Sequence, residues 1–455
     1  MELKLPAAGT TASAATASSA RASRIRYTIL AMLFIVTTIN YADRATISIA
    51  GSALQKDLGI SAVQLGFVFS AFGWSYVAAQ IPGGWLLDRF GARIVYAGSI
   101  ALWSFFTLLQ GTVGFLTGAA AVTTLFALRL AVGAAEAPSF PGNSRLVASW
   151  FPTDERGMAS AIFNSAQYFA TVLFAPIMAW LVHEFGWPAV FYAMGGLGVA
   201  LSVVWLKVIR DPRDHPRINA GELDLLEKGG ALIDKPVRGQ PVAVDASAAK
   251  PVGAIRQLLG NRMLLGIYFG QYFITTLTYF FLTWFPVYLV QERGMTILKA
   301  GIVASVPAIA GFIGGVLGGY LSDRMVRRGF SLTVARKTPI IVGMLLSMTM
   351  VACNYIESHE MVIAMMALAF FGKGVGALGW AVVSDTSPKG IAGLSGGLFN
   401  TFGNTAGITT PIVIGFIVQG TGSFAGALVY IGANALMAIV CYAFVVGEIK
   451  RVELK

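Results

Sequence analysis

Five charged side chains interrupt segments that are otherwise apolar. Asp43 and Arg44 stand in NYADRAT, Arg129 and Glu136 in RLAVGAAEAPSFPG, and Lys373 in FFGKGVGALGW. A charge held at the centre of a bilayer costs about 2.5–3.5 kcal/mol on insertion scales, so each is a candidate for ligand binding or proton transfer. Mutually neutralised structural pairs are the alternative reading of the same five. The chemistry within reach is recognition of an anion by the cations and carriage of protons by the carboxylates. Glu136, in an apolar helix, is poised by desolvation to pick up a proton. The three histidines, His183, His215 and His359, fall at loop or rim positions, so proton handling passes to the carboxylates.

Helix geometry separates the roles. Arg44 follows Tyr41 by three residues and shares its face, whereas Asp43 is turned by about 100° from Arg44. These neighbours cannot both address one ligand. The simplest arrangement has Arg44 facing a central cavity and Asp43 facing the fourth helix near Arg129. Arg129 and Glu136 lie two turns apart on one face, too far for a direct bond without a bridging group. Lys373, Gly376 and Trp380 form an i, i+3, i+7 stripe, and Gly372, Gly374 and Gly376 allow close helix approach or a bend.

Uncharged polar residues are less specific. Asn164 and Gln167 share one face, as do Asn400 and Asn404, and such amides often serve as glue between membrane helices. Tyr76 and Trp380 read by type as packing residues. The stretch Glu136–Pro141, with two prolines, predicts a kink that leaves backbone carbonyls unpaired.

The elements that carry these residues follow from composition and repetition. The 455-residue chain is 56% hydrophobic and 12% charged, with a mean hydropathy of +0.70; a soluble chain carries about 25% charged residues. About 20 apolar residues span a bilayer. Twelve stretches qualify, near 27–48, 63–87, 94–114, 118–149, 157–182, 188–208, 262–290, 297–321, 337–355, 361–384, 391–419 and 424–447. GGWLLDR at Gly83–Arg89 recurs as GGYLSDR at Gly318–Arg324, an offset of 235 residues, which indicates two homologous parallel halves. The expected fold is all-α and polytopic, with twelve transmembrane helices in two pseudo-symmetric six-helix bundles. Its parts are a disordered tail at 1–26, an N-terminal bundle at 27–208, a linker at 209–260, a C-terminal bundle at 261–449 and a short tail at 450–455. The repeated turns place Asp88, Arg89, Asp323 and Arg324 at helix ends, where an Asp can pair with an Arg of a neighbouring helix in one conformation only. They are read as gate elements.

The 33 Lys and Arg against 22 Asp and Glu give a net charge of +11. The basic residues crowd into alternate loops, among them Arg24, Arg26, Arg89, Arg93, Arg327, Arg328, Arg336, Lys337 and Lys450. By the positive-inside rule both termini are cytoplasmic, and the surplus reports topology rather than nucleic-acid binding. Cys353 and Cys441 lie in apolar helices without metal-ligand spacing, so neither a disulfide nor a metal site is expected. The first 23 residues lack the apolar core of a signal peptide. An integral-membrane enzyme is disfavoured by the lack of a metal cluster, a nucleophile–base pair or a nucleotide loop; GKG at Gly372–Gly374 lacks the full phosphate-loop spacing. A sensor is disfavoured because no soluble output domain accompanies the spans.

GGWLLDRFGAR resembles the loop motif of the major facilitator superfamily, and RLAVG its helix-four motif. NYADRATISIAG, FSAFGWSYVAAQIPGGWLLD, EAPSFPGNSRLVASWFP, TWFPVYLVQERGMTILKAG and FFGKGVGALGW are together similar to its anion:cation symporter branch. Within it the likeness is greatest to bacterial glucarate/galactarate permeases and next to galactonate transporters, over about residues 26–453. This resemblance implies a monomeric, proton-coupled symporter of the bacterial inner membrane, which imports a sugar diacid anion, D-glucarate or galactarate, by alternating access and uses protons rather than a cofactor. The same fold carrying galactonate, a hexuronate or another organic anion is the alternative. It further implies that Arg44 binds the substrate carboxylate, and that Asp43 and Glu136 carry protons with Arg129 beside them. Tyr41, Tyr76, Gln167, Trp380 and Asn400 match substrate-contacting positions. Lys373 stands where galactonate-type carriers have a neutral Asn; a second cation opposite Arg44 suits a ligand with a carboxylate at each end.

Overall fold

The computed structural model describes residues 22–233, 251–388 and 391–453. Most of the expected N-terminal tail, part of the linker and Lys455 lie outside the described residues. Among the described residues twelve helices are long and apolar enough to cross a membrane: α1 (Ile25–Leu58), α2 (Ala62–Phe90), α3 (Ala92–Phe115), α4 (Gly118–Trp150), α5 (Arg156–Phe185), α6 (Trp187–Val208), α7 (Arg262–Gln291), α8 (Ile297–Arg327), α9 (Leu332–Tyr355), α10 (His359–Thr386), α11 (Leu394–Thr421) and α12 (Ala425–Val445). The expected all-α architecture is what is found.

Several boundaries differ from the hydropathy reading. The first span was expected to end near residue 48, but α1 continues to Leu58. Leu54 and Leu58 stay buried beside the polar Gln55, Lys56 and Asp57, so the amphipathic turn extends until Gly59 adopts φ 64°, a conformation suited to glycine. The kink expected at the two prolines is present. Glu136 ends the first segment of α4, and Ser139 begins the second after Ala137 and Pro138. A break in α10 answers it: the helix stops at Val375 and resumes at Gly379.

The halves meet along α2 with α11 and α5 with α8, where small residues let backbones touch. A side chain at Gly66 would lie 2.5 Å from the Pro411 carbonyl, and one at Gly301 would meet Ala179. Hydrogen bonds between the halves concentrate on the face opposite the termini. Gln291 Nε2 donates to Gln55 Oε1 at 2.7 Å, the Val63 amide to Gln419 Oε1 at 3.1 Å, and Ser48 Oγ to the Thr283 carbonyl at 2.6 Å. On the terminal face, the ion pairs among the described residues stay within one half or the linker docked on it. The face opposite the termini is thus pinned by several bonds between the halves, whereas towards the terminal face the Asn400–Gln80 bond crosses at 3.3 Å and no ion pair among the described residues does.

The linker does more than join the halves. Its helix Ala220–Lys228 lies under the N-terminal half, with Leu226 and Ile233 in the apolar core there. Glu222 is fully buried and accepts hydrogen bonds from the Ile25 and Arg26 amides at the start of α1, at 3.0 and 3.1 Å, and from Ser23 Oγ at 2.5 Å. A carboxylate at a helix N-terminus satisfies orphan amides and complements the helix dipole.

Candidate functional site

The broken α4 places Glu136 at the interior end of its first segment, opposite α1. Glu136 Oε2 accepts from Arg44 Nε at 2.8 Å, with both side chains buried. Helix spacing left the partner of Arg44 open, and in the structure the cation and the carboxylate are directly joined. The break in α4 brings the carboxylate inward, which helix periodicity alone does not reveal. The Arg44 guanidinium sits among aromatic faces, 4.5 Å from the Phe72 centroid, 4.8 Å from Tyr76 and 5.0 Å from Tyr41. Such faces stabilise a desolvated cation. Its Nη2 finds no acceptor among the described residues, so part of the fork remains for an incoming anion.

Asp43 is fully buried and faces Arg129 and Glu136 of α4, in line with the expected turn of its side chain. No salt bridge closes between Asp43 and Arg129; both carboxylate oxygens of Asp43 and two guanidinium nitrogens of Arg129 lack partners among the described residues. Arg129 leans on the Phe72 ring at 5.5 Å, and no direct bond links it to Glu136.

Lys373 is buried at 7% exposure, with Nζ 5.2 Å from the Phe370 centroid and 5.8 Å from Tyr168. Among the described residues no carboxylate pairs with it. Asp385, the acid twelve residues further along α10, pairs with Arg336 at 2.8 Å. The stripe joining Lys373 to Trp380 does not survive: the break at Gly376–Leu378 rotates the second segment, and Trp380 is 57% exposed against Phe399.

Tyr41, Gln167 and Tyr168 line a cavity of about 60 Å³ that runs among α1, α5, α7, α8 and α10. Arg44 lies 5.0 Å from the Tyr41 ring centroid and Lys373 Nζ 5.8 Å from that of Tyr168, so each cation is beside one aromatic residue of this wall. Gln167 donates to its own helix at the Asn164 carbonyl, and Asn164 to Ser160, so neither acts as interhelical glue. Asn400 does reach across the halves: its Nδ2 donates to Gln80 Oε1 at 3.3 Å. Asn404 Nδ2 donates to Asn400 Oδ1, and the Tyr279 hydroxyl to Asn404 Oδ1, each at 3.1 Å. Tyr279 and Gln80 were missed from sequence. Gln80 carried a usable signal, lying four residues, one turn, after Tyr76.

At the repeated turns each Asp pairs with an Arg of a neighbouring helix, the pairing that the sequence allowed. Asp88 pairs with Arg145 of α4 at 2.9 Å, and Asp323 with Arg336 of α9 at 3.2 Å. The adjacent Arg89 and Arg324 lie over Trp85, Phe90 and Tyr320 rather than against an acid. The repeated acids are therefore bonded within their own halves, and the arginines beside them are not their partners. His183 is at the exposed end of α5 beside Glu184, and His359 opens α10. His215 stands edge-on to Trp150 in the linker, where burial holds it below the usual imidazole range.

Residues 33–335 match the sequence profile of the Major Facilitator Superfamily. The chain belongs to that family. It is a multi-pass membrane protein with twelve candidate spans. It is 62% identical over 443 residues to the probable galactarate/D-glucarate transporter GudP of Escherichia coli strain K12, covering 97% of this chain and 98% of that one. The probable galactarate/D-glucarate transporter GarP of the same strain is 57% identical, with 94% and 96% covered. A D-galactonate transporter of Escherichia coli O6:H1 is 43% identical, with 96% and 99% covered. The order of likeness implied by the motifs is reproduced. Among solved structures, a bacterial homolog to the human lysosomal transporter Spinster, inward-facing and occupied, superposes with a TM-score of 0.69 at 18% identity, covering 93% of this chain and 96% of that one. This likeness speaks for the fold.

Proposed function

We propose that the chain is a proton-coupled symporter that carries a sugar diacid, galactarate or D-glucarate, into the bacterial cell across the inner membrane by alternating access. The substrate class is carried by the 57–62% identity to relatives named for galactarate and D-glucarate, against 43% to the relative named for D-galactonate. The chemistry of the site supports it: one buried cation from each half, Arg44 and Lys373, flanks an aromatic wall, and a diacid carries a carboxylate at each end. Arg44 offers a bidentate fork and Lys373 a point charge. Tyr41, Tyr76, Gln167 and Asn400 supply hydroxyl and amide groups for the sugar hydroxyls.

The Arg44–Glu136 pair supplies a coupling step. Charged Glu136 holds Arg44 and competes with the substrate carboxylate. A proton on Glu136 removes that competitor, so proton and substrate binding reinforce one another; Asp43 takes a second proton beside Arg129. A dianion entering a negative interior works against about 2.3 kcal/mol per charge per 100 mV. Two protons cancel this term, and uptake is electroneutral, driven by the pH gradient. The termini lie in the cytoplasm on this reading, which makes the present state inward-facing.

Uptake of labelled glucarate by the purified monomer in proteoliposomes, under an imposed pH gradient and with a panel of acid competitors, tests both parts. Galactarate should compete and galactonate or a hexuronate should compete poorly; the reverse order would assign another acid. Uptake indifferent to the pH gradient would remove proton coupling.

A further inference from the structure

The interior of the N-terminal half holds polar side chains that neither the clamp nor the turns use. On α3, Tyr96, Trp103, Thr107 and Gln110 follow one another at intervals of seven, four and three residues, which places them on one helix face. All four are at 0% exposure. The Tyr96 hydroxyl, Trp103 Nε1, Thr107 Oγ1 and Gln110 Oε1 find no hydrogen-bond partner among the described residues, and neither do the Asp43 oxygens. Trp103 faces Asp43 without closing a bond of normal geometry. Asn40 stands in the same loose relation to Glu136, and Tyr96 to Ser139 and Asn143. Buried polar groups are almost always hydrogen-bonded, and where protein supplies no partner, ordered water bridges them.

The file has a direction. From Trp103 to Gln110 the helix rises about 10 Å, a span that three or four waters at hydrogen-bond spacing cover. Gln110 lies at the end remote from the termini, where α3 passes into the 3₁₀ turn Gly111–Phe115. Beyond it lie the buried Val113 and Trp187, and the Trp187 indole donates to Asp57 of α1 at 2.7 Å.

We propose that this face of α3 is a hydrated proton path leading from the face opposite the termini to Asp43, separate from the substrate cavity. The proposal rests on the proton-coupled reading above. One proton enters from the outer compartment and is relayed along the waters held by Gln110, Thr107 and Trp103. It ends on the Asp43 carboxylate, which becomes a neutral carboxyl; no electrons move. The charged groups facing Asp43 are Arg129 and Glu136 of α4, and α3 presents the Trp103 indole. The other helices packed on α1 in this half, α2, α5 and α6, carry their charged residues only near their ends. The relay therefore delivers its proton to an acid whose only charged neighbours belong to the coupling machinery.

The test uses the full chain in proteoliposomes with Thr107→Val and Gln110→Leu combined. Glucarate exchange at equal pH on both sides should be unchanged, while uptake driven by a pH gradient should slow at least tenfold, and Thr107→Ser alone should keep the driven rate. Intact exchange shows that the carrier is folded. If the double variant also loses exchange, Thr107→Val alone, which removes one hydroxyl without changing shape, decides by the same pair of readouts. Driven uptake at the wild-type rate with intact exchange would overturn the path and leave proton coupling standing. A wild-type protein that ignored the pH gradient would instead sink the coupled reading and the path together.

Discussion

Arg44 and Glu136 share one hydrogen bond at 2.8 Å, and that bond links the two ligands of the proposed cycle. Glu136→Gln mimics the protonated acid and leaves Arg44 without its competing charge. The variant should bind and exchange glucarate but lose accumulation against a gradient, measured by counterflow and by pH-driven uptake in the same vesicles. Unimpaired accumulation would move the coupling role to another acid. Lys373 is buried without a carboxylate among the described residues, a costly state unless a ligand completes it. Lys373→Asn should therefore weaken galactarate or glucarate binding by about ten- to a hundredfold, the worth of a charge-assisted bond. Galactonate binding should change little, and a competition assay over both acids reads the difference. Equal losses for mono- and diacid would return Lys373 to a supporting role.

The elements position these residues through breaks and caps rather than through straight helices. The gap at Ala137–Pro138 delivers Glu136 to Arg44, and the gap at Gly376–Leu378 separates Lys373 from Trp380. Close glycine packing holds the second gap in place. A side chain at Gly374 would lie against the Gly311 carbonyl, and one at Gly318 against the Val375 carbonyl. At the terminal face the linker helix caps α1 through Glu222, which also pairs with Arg26 at 3.3 Å. Glu222→Ala leaves Arg26 with only Glu155 and frees two helix-start amides. Breaking such a buried pair costs about 3 kcal/mol, so the melting temperature in detergent should fall by several degrees, with glucarate affinity unchanged in the folded fraction. An unchanged melting temperature would mean that the linker docks without stabilising α1.

The two faces of the whole molecule are held differently. Gln55 of α1 meets Gln291 of α7 across the halves, whereas the repeated Asp88 and Asp323 are bonded within theirs. In a rocking cycle the first contact must part and the terminal face must close. Cysteines at Gln55 and Gln291, joined by a short bifunctional thiol reagent, should hold the present state and stop uptake. A monofunctional reagent should not, because the native Cys353 and Cys441 are buried. Uptake persisting in the cross-linked protein would rule out rocking about this contact.

Local pattern determined much of this protein without its structure. Hydropathy marks twelve spans because a bilayer demands long apolar helices, and the repeated Asp-Arg turns mark two halves. The prolines of EAPSFP mark the break in α4, and the five intramembrane charges mark the proposed site. These signals act over a few turns of one helix, so they are written in neighbouring residues. Partner choice is not. Arg44 and Glu136 are 92 residues apart, Arg336 and Asp385 are 49 apart, and Glu222 lies 196 residues from the amide it caps. Which of them meet depends on the rotation of each helix about its axis and on breaks that reset that rotation, both set by glycine-to-backbone packing between helices. Tertiary structure alone therefore joined Glu136 to Arg44, left Lys373 without a carboxylate among the described residues, moved Trp380 off its face and aligned the polar face of α3, unpaired among the described residues, with Asp43.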